Sequence, residues 1–472
     1  MSRTLVWFRS DLRVGDNPAL YHSAVKNEVV AVYCLCPDQW QEHNDSPNKL
    51  WFWMQNLKQL EHSLNRLNIP LVVIQPIRFE HCAQLLLQTA RQLQCDGISF
   101  NNEHGLNEEN RDRAVEQTFA RQQLKCLRFS DQTLIPPGHL LNGSGDYFKV
   151  FTPFKKALYR TLDLHQIQPL PAPEQQKPLE LADVQPVDYL NLFTPLEGLQ
   201  ALWPAGEEEA ANRLKSFIES HSEGYKKFRD FPGMDATSTL SPYLVSGTVS
   251  LRQCFYAAFQ ANNGEMDSGS DGLQCWMSEL IWREFYKHIL HGFPRLSRGR
   301  AFITETEHLP WNQDNEAFSA WCKGETGFPL VDAAMKQLVN TGWMHNRLRM
   351  VTAMFLTKNL MIDWRLGETF FMQHLIDGDL SANNGGWQWS ASTGTDAAPY
   401  FRMFNPVSQS EKFDSEGQFI RHWLPQLSRL SSKEIHAPWQ HHVNEINYPA
   451  PIVDLKASRE RVLSAFKALK QP

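Results

Sequence analysis

The chain has 472 residues, enough for two or three domains at about 150 residues each. Hydrophobic residues make up 42% and charged residues 21%, with 25 Gly and 27 Pro, which excludes collagen-like and low-complexity classes. A formal net charge of −6 excludes a globally basic nucleic-acid coat but leaves a local basic patch open, because steering follows charge distribution. The longest apolar runs, such as Val29–Cys36, fall far short of the roughly 20 residues of a membrane span. Arg3, Arg9 and Asp11 interrupt any signal-peptide core. The eight cysteines are scattered without a CxxC pair, so reduced thiols in a cytoplasmic protein are expected, with no structural metal.

The first third alternates strand and helix patterns. Short apolar runs predict strands at Thr4–Phe8, Val29–Leu35, Leu71–Ile77, Gly97–Phe100 and Leu124–Phe129. Patterns between them predict helices at Pro18–Ala24, Lys49–Leu67, Glu80–Leu93 and Asn107–Gln123. Continuous apolar strands with helical crossovers predict a buried parallel sheet, whose ligands sit at the carboxyl ends of its strands. No GxGxxG follows the first strand, which excludes an ordinary nicotinamide-dinucleotide unit. From Asp131 to Pro204 the periodicity fades and prolines recur, Pro186 among them. This predicts an ordered surface connection with one helix near Pro153–Leu164, anchored by Phe148, Phe151, Phe154, Ile167 and Phe193. From Glu207 onward the signal is helical. Helices are predicted at Glu207–His221, Ser250–Gln260, Gln274–His291, Asn315–Lys323, Pro329–Thr341, Asn346–Met361, Trp364–Leu375 and Lys456–Lys470. The expected organisation is an α/β domain over residues 1–131, a connection over 132–205 and a large all-α domain over 206–472.

Fifteen tryptophans fit either core filler or a site that stacks on flat rings or moves electrons. In Cys275–Leu290, helical spacing puts Glu279, Trp282, Arg283 and Tyr286 on one face, with Met277, Leu280, Ile281 and Phe285 turned toward a core. That polar and aromatic face reads either as an ordinary Glu/Arg helix pair or as a pocket wall that stacks on a base. Two stretches lack acids. Phe285–Thr304 holds Lys287, Arg295, Arg298 and Arg300, and Ala333–Ile362 holds Lys336, Arg347, Arg349 and Lys358. Both suit a phosphate-facing surface, or helices whose acids lie elsewhere. Each piece of Leu375–Tyr400 could be a capped loop, but so many amides, glycines and indoles in one short stretch point instead to a ligand-facing segment. Asp377, Gly378 and Asp379 set two carboxylates around a flexible glycine, too few oxygen ligands for a calcium loop but apt for a ribose or a ring N–H. Asn383–Gly386 would let a backbone approach a partner closely, and Trp387 and Trp389 follow. Thr237, Ser238, Thr239 and Ser241 precede a predicted helix and would either cap it or meet phosphate.

Six segments carry a resemblance: LVWFRSDLRVGDNPAL from Leu5, KVFTPF from Lys149, RDFP from Arg229, ELIWREFY from Glu279, TGWMHNRLRM from Thr341, and DGDLSANNGGWQWSASTGTDAAPYFRMFNP from Asp377. Through them the chain resembles the DNA photolyase and cryptochrome family, specifically the bacterial, folate-type, class I cyclobutane pyrimidine dimer photolyases. The resemblance implies a Rossmann-like α/β domain with a parallel sheet, followed by an all-α domain that holds FAD in a U shape. Tyr225 with Thr237, Ser238, Thr239, Leu240 and Ser241 would hold the phosphates and ribitol. Asp377, Gly378 and Asp379 would contact the flavin and its sugar side, Asn383 would face flavin N5, and Arg349 would pair with Asp377. The working flavin would be reduced and anionic.

The implied partner is ultraviolet-damaged DNA, photolyases being among the enzymes known to extrude their target base. Glu279 would hydrogen-bond the pyrimidine carbonyls and steady the radical anion, while Trp282 and Trp389 would stack on the dimer. Arg229, Arg283, Tyr286, Asn346, Arg347, Met350 and Gln409 would contact the dimer or the flanking strand. Trp387, Trp364 and Trp311 would relay electrons to an oxidised flavin. Asn107, Glu108 and Lys149 would bind a 5,10-methenyltetrahydrofolate antenna, with a deazaflavin as the alternative. The expected activity is light-driven dimer splitting by a cytoplasmic, metal-free monomer. A cryptochrome-type blue-light receptor is the alternative. Glu279, Trp282, Met350 and Trp389, and the chain's end soon after Lys456–Lys470, favour repair.

Overall fold

The computed structural model describes residues 2–165, 167–181, 187–441 and 446–469, so Pro186 and Lys470 lie outside the described residues. In chain order the elements begin with β1 (Arg3–Phe8), α1 (Pro18–Ala24), β2 (Glu28–Cys34), α2 (Pro37–Glu42), α3 (Pro47–Arg66), β3 (Leu71–Ile74), α4 (Phe79–Gln92), β4 (Gly97–Asn101), α5 (Leu106–Arg121) and β5 (Lys125–Phe129). They continue with α6 (Phe151–Thr161), α7 (Leu199–Leu202), α8 (Glu207–Ser220), α9 (Tyr225–Phe228), α10 (Ser241–Ser246), α11 (Leu251–Ala261), α12 (Asp271–Gly292), α13 (Asn315–Lys323) and α14 (Pro329–Thr341). The last are α15 (Asn346–Met354), a π-helical turn (Phe355–Asn359), α16 (Trp364–His374), α17 (Leu380–Ala391), α18 (Pro406–Phe413), α19 (Gln418–Trp423) and α20 (Leu455–Ala468). Among the described residues no helix is long and apolar enough to cross a membrane.

By compactness the chain forms two units, Met1–Glu223 with Ser238–Pro294, and Gly224–Thr237 with Arg295–Pro472. In the first, the five strands make an all-parallel sheet in the order β3-β2-β1-β4-β5. Leu5 pairs with Val30 on one side and Ile98 on the other. The central strands are buried on both faces, hence their unbroken apolar runs. The strand order reverses between β1 and β4, where such sheets place ligands. Here the chain fills that position itself. Asn101 donates from Nδ2 to Asp11 (2.6 Å) and Asn17 (2.9 Å), and its Oδ1 accepts from Ala19 N (3.1 Å). This explains physically why no glycine-rich dinucleotide loop is present.

The described residues of the connection after β5 are tied to the sheet by hydrogen bonds. Gln176 accepts from Val29 N (2.9 Å) and donates to the carbonyls of Val29 (3.0 Å) and Asn68 (2.9 Å). Phe151, Phe154 and Ile167 are buried, as the anchor reading expects. The Ser238–Pro294 segment, read above with the helical domain, packs with the α/β part. A buried ion network ties them. Arg13 bonds Asp131, Arg252 meets Asp16 (3.0 Å) and Asp131 (3.1 Å), and Ser250 donates to Asp16. Gly247 (φ +72°) sits against Ser10, and a Cβ there would lie 2.1 Å from Ser10 O. Only glycine fits that approach and that backbone region.

In the second unit the expected helix Asn346–Met361 is interrupted. It is α-helical to Met354, π-helical to Asn359, and Met361 takes a positive φ of 57°. The π turn brings Lys358 fully inside, where Nζ donates to Ser392 Oγ (2.5 Å) and Tyr400 O (3.4 Å) and lies 4.8 Å from the Phe466 ring. Leu375–Tyr400, for which no helix was predicted, contains α17. Asp379 caps it by accepting from Ala382 N (3.0 Å), and its inner face is a polar ladder in which Gln388 donates to Asn384 (2.8 Å). The buried residues of α17 mix Asn384, Gln388 and two serines with Trp387 and Ala391, so no clean apolar period marks the helix. The short helices α2, α7, α9, α10, α18 and α19 were likewise not expected, each offering at most eight residues of pattern.

Burial pulls the Lys358 ammonium down to about 7. The folded state then binds fewer protons than the unfolded state, whose lysine titrates near pH ~10.4. Stability should therefore rise by a few kcal/mol between those values, and Lys358→Met should flatten that rise. Urea midpoints across pH for both proteins check this, and an unchanged slope in the variant counts against it.

Candidate functional site

In the first unit, α12 starts at Ser270, whose hydroxyl accepts from Leu273 N. Met277, Leu280, Ile281 and Phe285 are buried, and Glu279, Trp282, Arg283 and Tyr286 stand half-buried on the other face. The helix is held from behind. Glu284, wholly buried, accepts from Leu134 N (2.9 Å) and Ile135 N (3.0 Å). Arg283 donates to the carbonyls of Gln132 (3.1 Å) and Leu244 (3.2 Å), so its guanidinium staples segments together. Trp282 lies face to face with Phe151 at 3.7 Å and 6°, with Tyr286 tilted at 5.7 Å. Sequence reasoning took Phe151 only as an anchor. The structure makes it the backing plate of Trp282.

The hydroxyl stretch divides its tasks. Ser238 Oγ accepts from Trp276 Nε1 (3.4 Å), and Thr239, at φ +47°, accepts from Arg213 (3.1 Å). Leu240 stands at the start of α10 and no side chain caps that helix, so the capping alternative does not hold. A β-branched residue in the left-handed region costs of order 1–3 kcal/mol, strain of the kind that clusters at ligand clamps.

In the second unit, Arg349 grips Asp377 through Nη2 at 3.0 and 2.8 Å, and its Nε donates to Met344 O (2.8 Å). Asp377 and Gly378 are buried. Asp379 caps α17 and accepts from Ser381 Oγ. Asn383 donates from Nδ2 to Glu368 O (3.0 Å), which leaves its amide oxygen as an acceptor. Glu368 accepts from Asn384 (2.9 Å), and burial pushes its carboxyl up to about 7. Gly386 opens on space, since a Cβ there would meet nothing within 4 Å.

The same unit carries Tyr225, buried on α9, under the Arg229 guanidinium at 5.2 Å. Arg347 pairs with Asp230 (2.7 Å) and covers the Phe413 ring at 4.6 Å. Asn346, Met350, Trp389 and Gln409 are exposed or half-buried, and the Gln409 Oε1 atom is buried without a partner. The cations of the acid-free stretches differ in their surroundings, with Arg298 and Arg300 exposed. Arg347 and Arg349 are ion-paired, Lys287 and Lys358 are buried, and Arg295 lies 3.8 Å from Glu307. Acids distant in sequence supply the missing partners.

The three expected relay tryptophans line up along one piece of backbone. Trp387 packs on α16 at Gly367, where a Cβ would lie 2.2 Å from the indole. Trp364 begins that helix, three residues before Gly367. Trp311 precedes Asn312, which forms a parallel bridge with Ile362, two residues before Trp364. All three indole N–H groups are buried without an acceptor.

In the first unit Asn107 and Glu108 open α5 and meet through His43. Asn107 Nδ2 donates to His43 Nε2 (2.9 Å), and His43 Nδ1 lies 3.6 Å from Glu108. Burial raises the Glu108 carboxyl. Lys149 is exposed, with its ammonium 5.8 Å from the Phe293 ring. His43 gave no sequence signal, because it ends a short helix in a stretch that reads as loop. A separate cleft of about 470 Å³, lined by Leu214, Ile218, Val249 and Tyr256 among others, includes none of the expected site residues.

The donor set fits a flavin dinucleotide. Taken within the second unit, an Arg–Asp pair and an amide oxygen able to accept from a ring N–H suit an isoalloxazine; within the first, the uncapped start of α10 carries hydroxyls of the kind that meet phosphate. Residues 4–174 match the family described as DNA photolyase, and residues 276–468 match the FAD binding domain of DNA photolyase. The chain is 44% identical to the deoxyribodipyrimidine photo-lyase of Vibrio cholerae, covering 99% of each, and 41% identical to that of Escherichia coli, covering all of both. Among solved structures it is similar to a class III photolyase from Agrobacterium tumefaciens (TM-score 0.91, 33% identity, 100% of this chain and 98% of that one). It is also similar to a Synechocystis cryptochrome (TM-score 0.85, 28% identity, 98% and 99%).

Proposed function

Because the chain belongs to the DNA photolyase family, we propose that it repairs cyclobutane pyrimidine dimers in DNA under blue light, as a deoxyribodipyrimidine photo-lyase that works with FAD. The observation that carries this reading is the half-buried Glu279, Trp282 and Tyr286 face of α12, one carboxyl set among flat rings. A reduced, anionic FAD held by this chain would supply light-driven one-electron chemistry.

The chain's own residues hold and tune. The Asn383 amide oxygen would accept from a flavin ring N–H, and Glu368, through its carbonyl, fixes the amide's orientation. Asp377 and Arg349 form an ion pair with no net charge, which would give a charged flavin a compensated field. Tyr225 and the Thr237–Ser241 stretch take the phosphates and ribitol. On the lesion side Trp282, backed by Phe151, offers its free face to the flipped dimer. Glu279 bonds the pyrimidine edge, accepting from an imide N–H as carboxylate or donating to a carbonyl as acid. Trp389, Asn346, Met350 and Gln409 contact the dimer, and Arg229 and Arg347 position the strand.

In the first unit, Asn107 and Glu108, bridged by His43, hold an antenna, 5,10-methenyltetrahydrofolate, with a deazaflavin as the alternative. Both are flat heterocycles that an amide and a carboxyl can address. The Synechocystis cryptochrome's likeness keeps a blue-light receptor as the second reading.

One experiment tests these readings. Purified protein is expected to show flavin bands with a near-ultraviolet antenna band, and to remove dimers from an oligonucleotide only in light. A colourless chain that refuses added FAD defeats the flavin reading. Flavin without repair leaves the receptor. Glu279→Gln is expected to retain FAD and lower the repair yield per photon several-fold; an unchanged yield removes Glu279 from the site.

A further inference from the structure

The proposed reaction leaves one chemically capable cluster unused. Cys34 ends β2, Cys36 precedes α2, and Cys82 is the fourth residue of α4. All three thiols are buried, and the Sγ atoms of Cys36 and Cys82 stand 3.7 Å apart. Hydrogen bonds from Cys34 and Cys36, helped by the nearby Arg111 and Arg9 guanidiniums, hold the Cys82 thiol well below its ordinary range against the effect of burial. Cys36 is held protonated. Two sulfurs 3.7 Å apart, either able to donate to the other, beside two guanidiniums that favour a thiolate, make the arrangement that peroxide oxidation and thiol condensation need.

The cover over these sulfurs is light. α2 is a helix of six residues with no side-chain cap. On the outside it is fastened to the start of α4 by Arg78, which bonds Glu42 and lies 3.8 Å from Asp38, all three exposed. Surface pairs of this kind contribute ~0–1 kcal/mol. Next to Arg78, Ile77 holds φ at +70°, a strained value for a β-branched residue, with its side chain 45% exposed. Weak fastening and stored strain at one spot favour local opening.

We propose that Cys36 and Cys82 form a reversible disulfide when the protein meets hydrogen peroxide, a redox site at the carboxyl edge of the sheet. The Cys82 thiolate attacks one peroxide oxygen, the O–O bond breaks, and the departing hydroxide takes up a proton to become water. Cys82 is left as a sulfenic acid. The Cys36 sulfur attacks that sulfur, an S–S bond forms, the S–O bond breaks, and the hydroxyl leaves as water with the Cys36 proton. Two thiols are oxidised and one peroxide is reduced to two waters. The sulfurs must close from 3.7 Å to about 2.05 Å, a shift that the short α2 can supply. The residue after α2 is His43, which joins Asn107 to Glu108, so the bond pulls directly on those two residues. That consequence rests on the antenna reading, whereas the disulfide does not.

The test uses the full-length, FAD-loaded protein, reduced, freed of reductant and treated with hydrogen peroxide. After denaturation its eight thiols should fall to six, peptide mapping should show Cys36 joined to Cys82, and dithiothreitol should restore all eight. Cys82→Ser, with seven thiols at the start, should keep seven. Eight surviving thiols overturn the proposal. So does loss traced to Cys126, Cys275 or Cys322, or a bond between Cys34 and Cys82. Should the variant fail to fold, the wild-type peptide map still decides. An antenna band unmoved by confirmed oxidation would overturn the link to His43 and leave the disulfide standing.

Discussion

Trp311→Phe is expected to leave oxidised flavin unreduced under blue light, while enzyme reduced beforehand with dithionite repairs dimers at the wild-type rate. The expectation rests on continuity and on proton bookkeeping. Trp387 lies against Gly367, Trp364 starts the same helix, and the Asn312–Ile362 bridge sets Trp311 alongside. An indole N–H with no acceptor has nowhere to send its proton, so an oxidised ring stays cationic and passes the vacancy on. The Arg365 guanidinium, 4.7 Å from the Trp364 ring, disfavours a resting positive charge there. Phenylalanine is too hard to oxidise, so the charge returns to the flavin. Transient absorption of the tryptophan radical and accumulation of reduced flavin are the readouts. Sustained reduction in the variant would mean another exit, and Trp321, whose ring centre is 6.0 Å from that of Trp387, is the place to look. Collapse of repair in pre-reduced enzyme would refute the relay role itself.

Asp131→Ala should lower stability by about 3–5 kcal/mol, the range for breaking one partner out of a buried pair. Asp131 faces both Arg13 and Arg252, and its removal leaves two guanidiniums in the interior with only Asp16 and backbone carbonyls to answer them. Urea unfolding should show an earlier midpoint with an unchanged slope. A loss below about 1 kcal/mol would mean that water reaches the network and screens it.

The sheet was legible because burial on both faces leaves unbroken apolar runs, and every expected strand appears within a few residues of its predicted ends. The α12 face was legible too, because a long helix with one apolar stripe announces its other side. α17 was not. Its interior face is Asn384 and Gln388, whose amides are satisfied by Glu368 and the Phe302 backbone, and nothing local reveals partners so far away. The same holds for His43 between Asn107 and Glu108, and for Asp230 beside Arg347. Residue type marks a capacity for charge or hydrogen bonding, but only the fold decides which group answers it.

The tie between Gly247 and Ser10, with its ring of arginines and aspartates, has a practical corollary for anyone trimming the gene. A fragment beginning near residue 206 would carry α10, α11 and α12 without the segments they lean on, laying bare Tyr243, which meets Phe52, and Phe285, which meets Phe151 and Phe154. Such a product should collect in inclusion bodies. The shortest soluble piece bearing Glu279 and Trp282 would have to begin at the first strand.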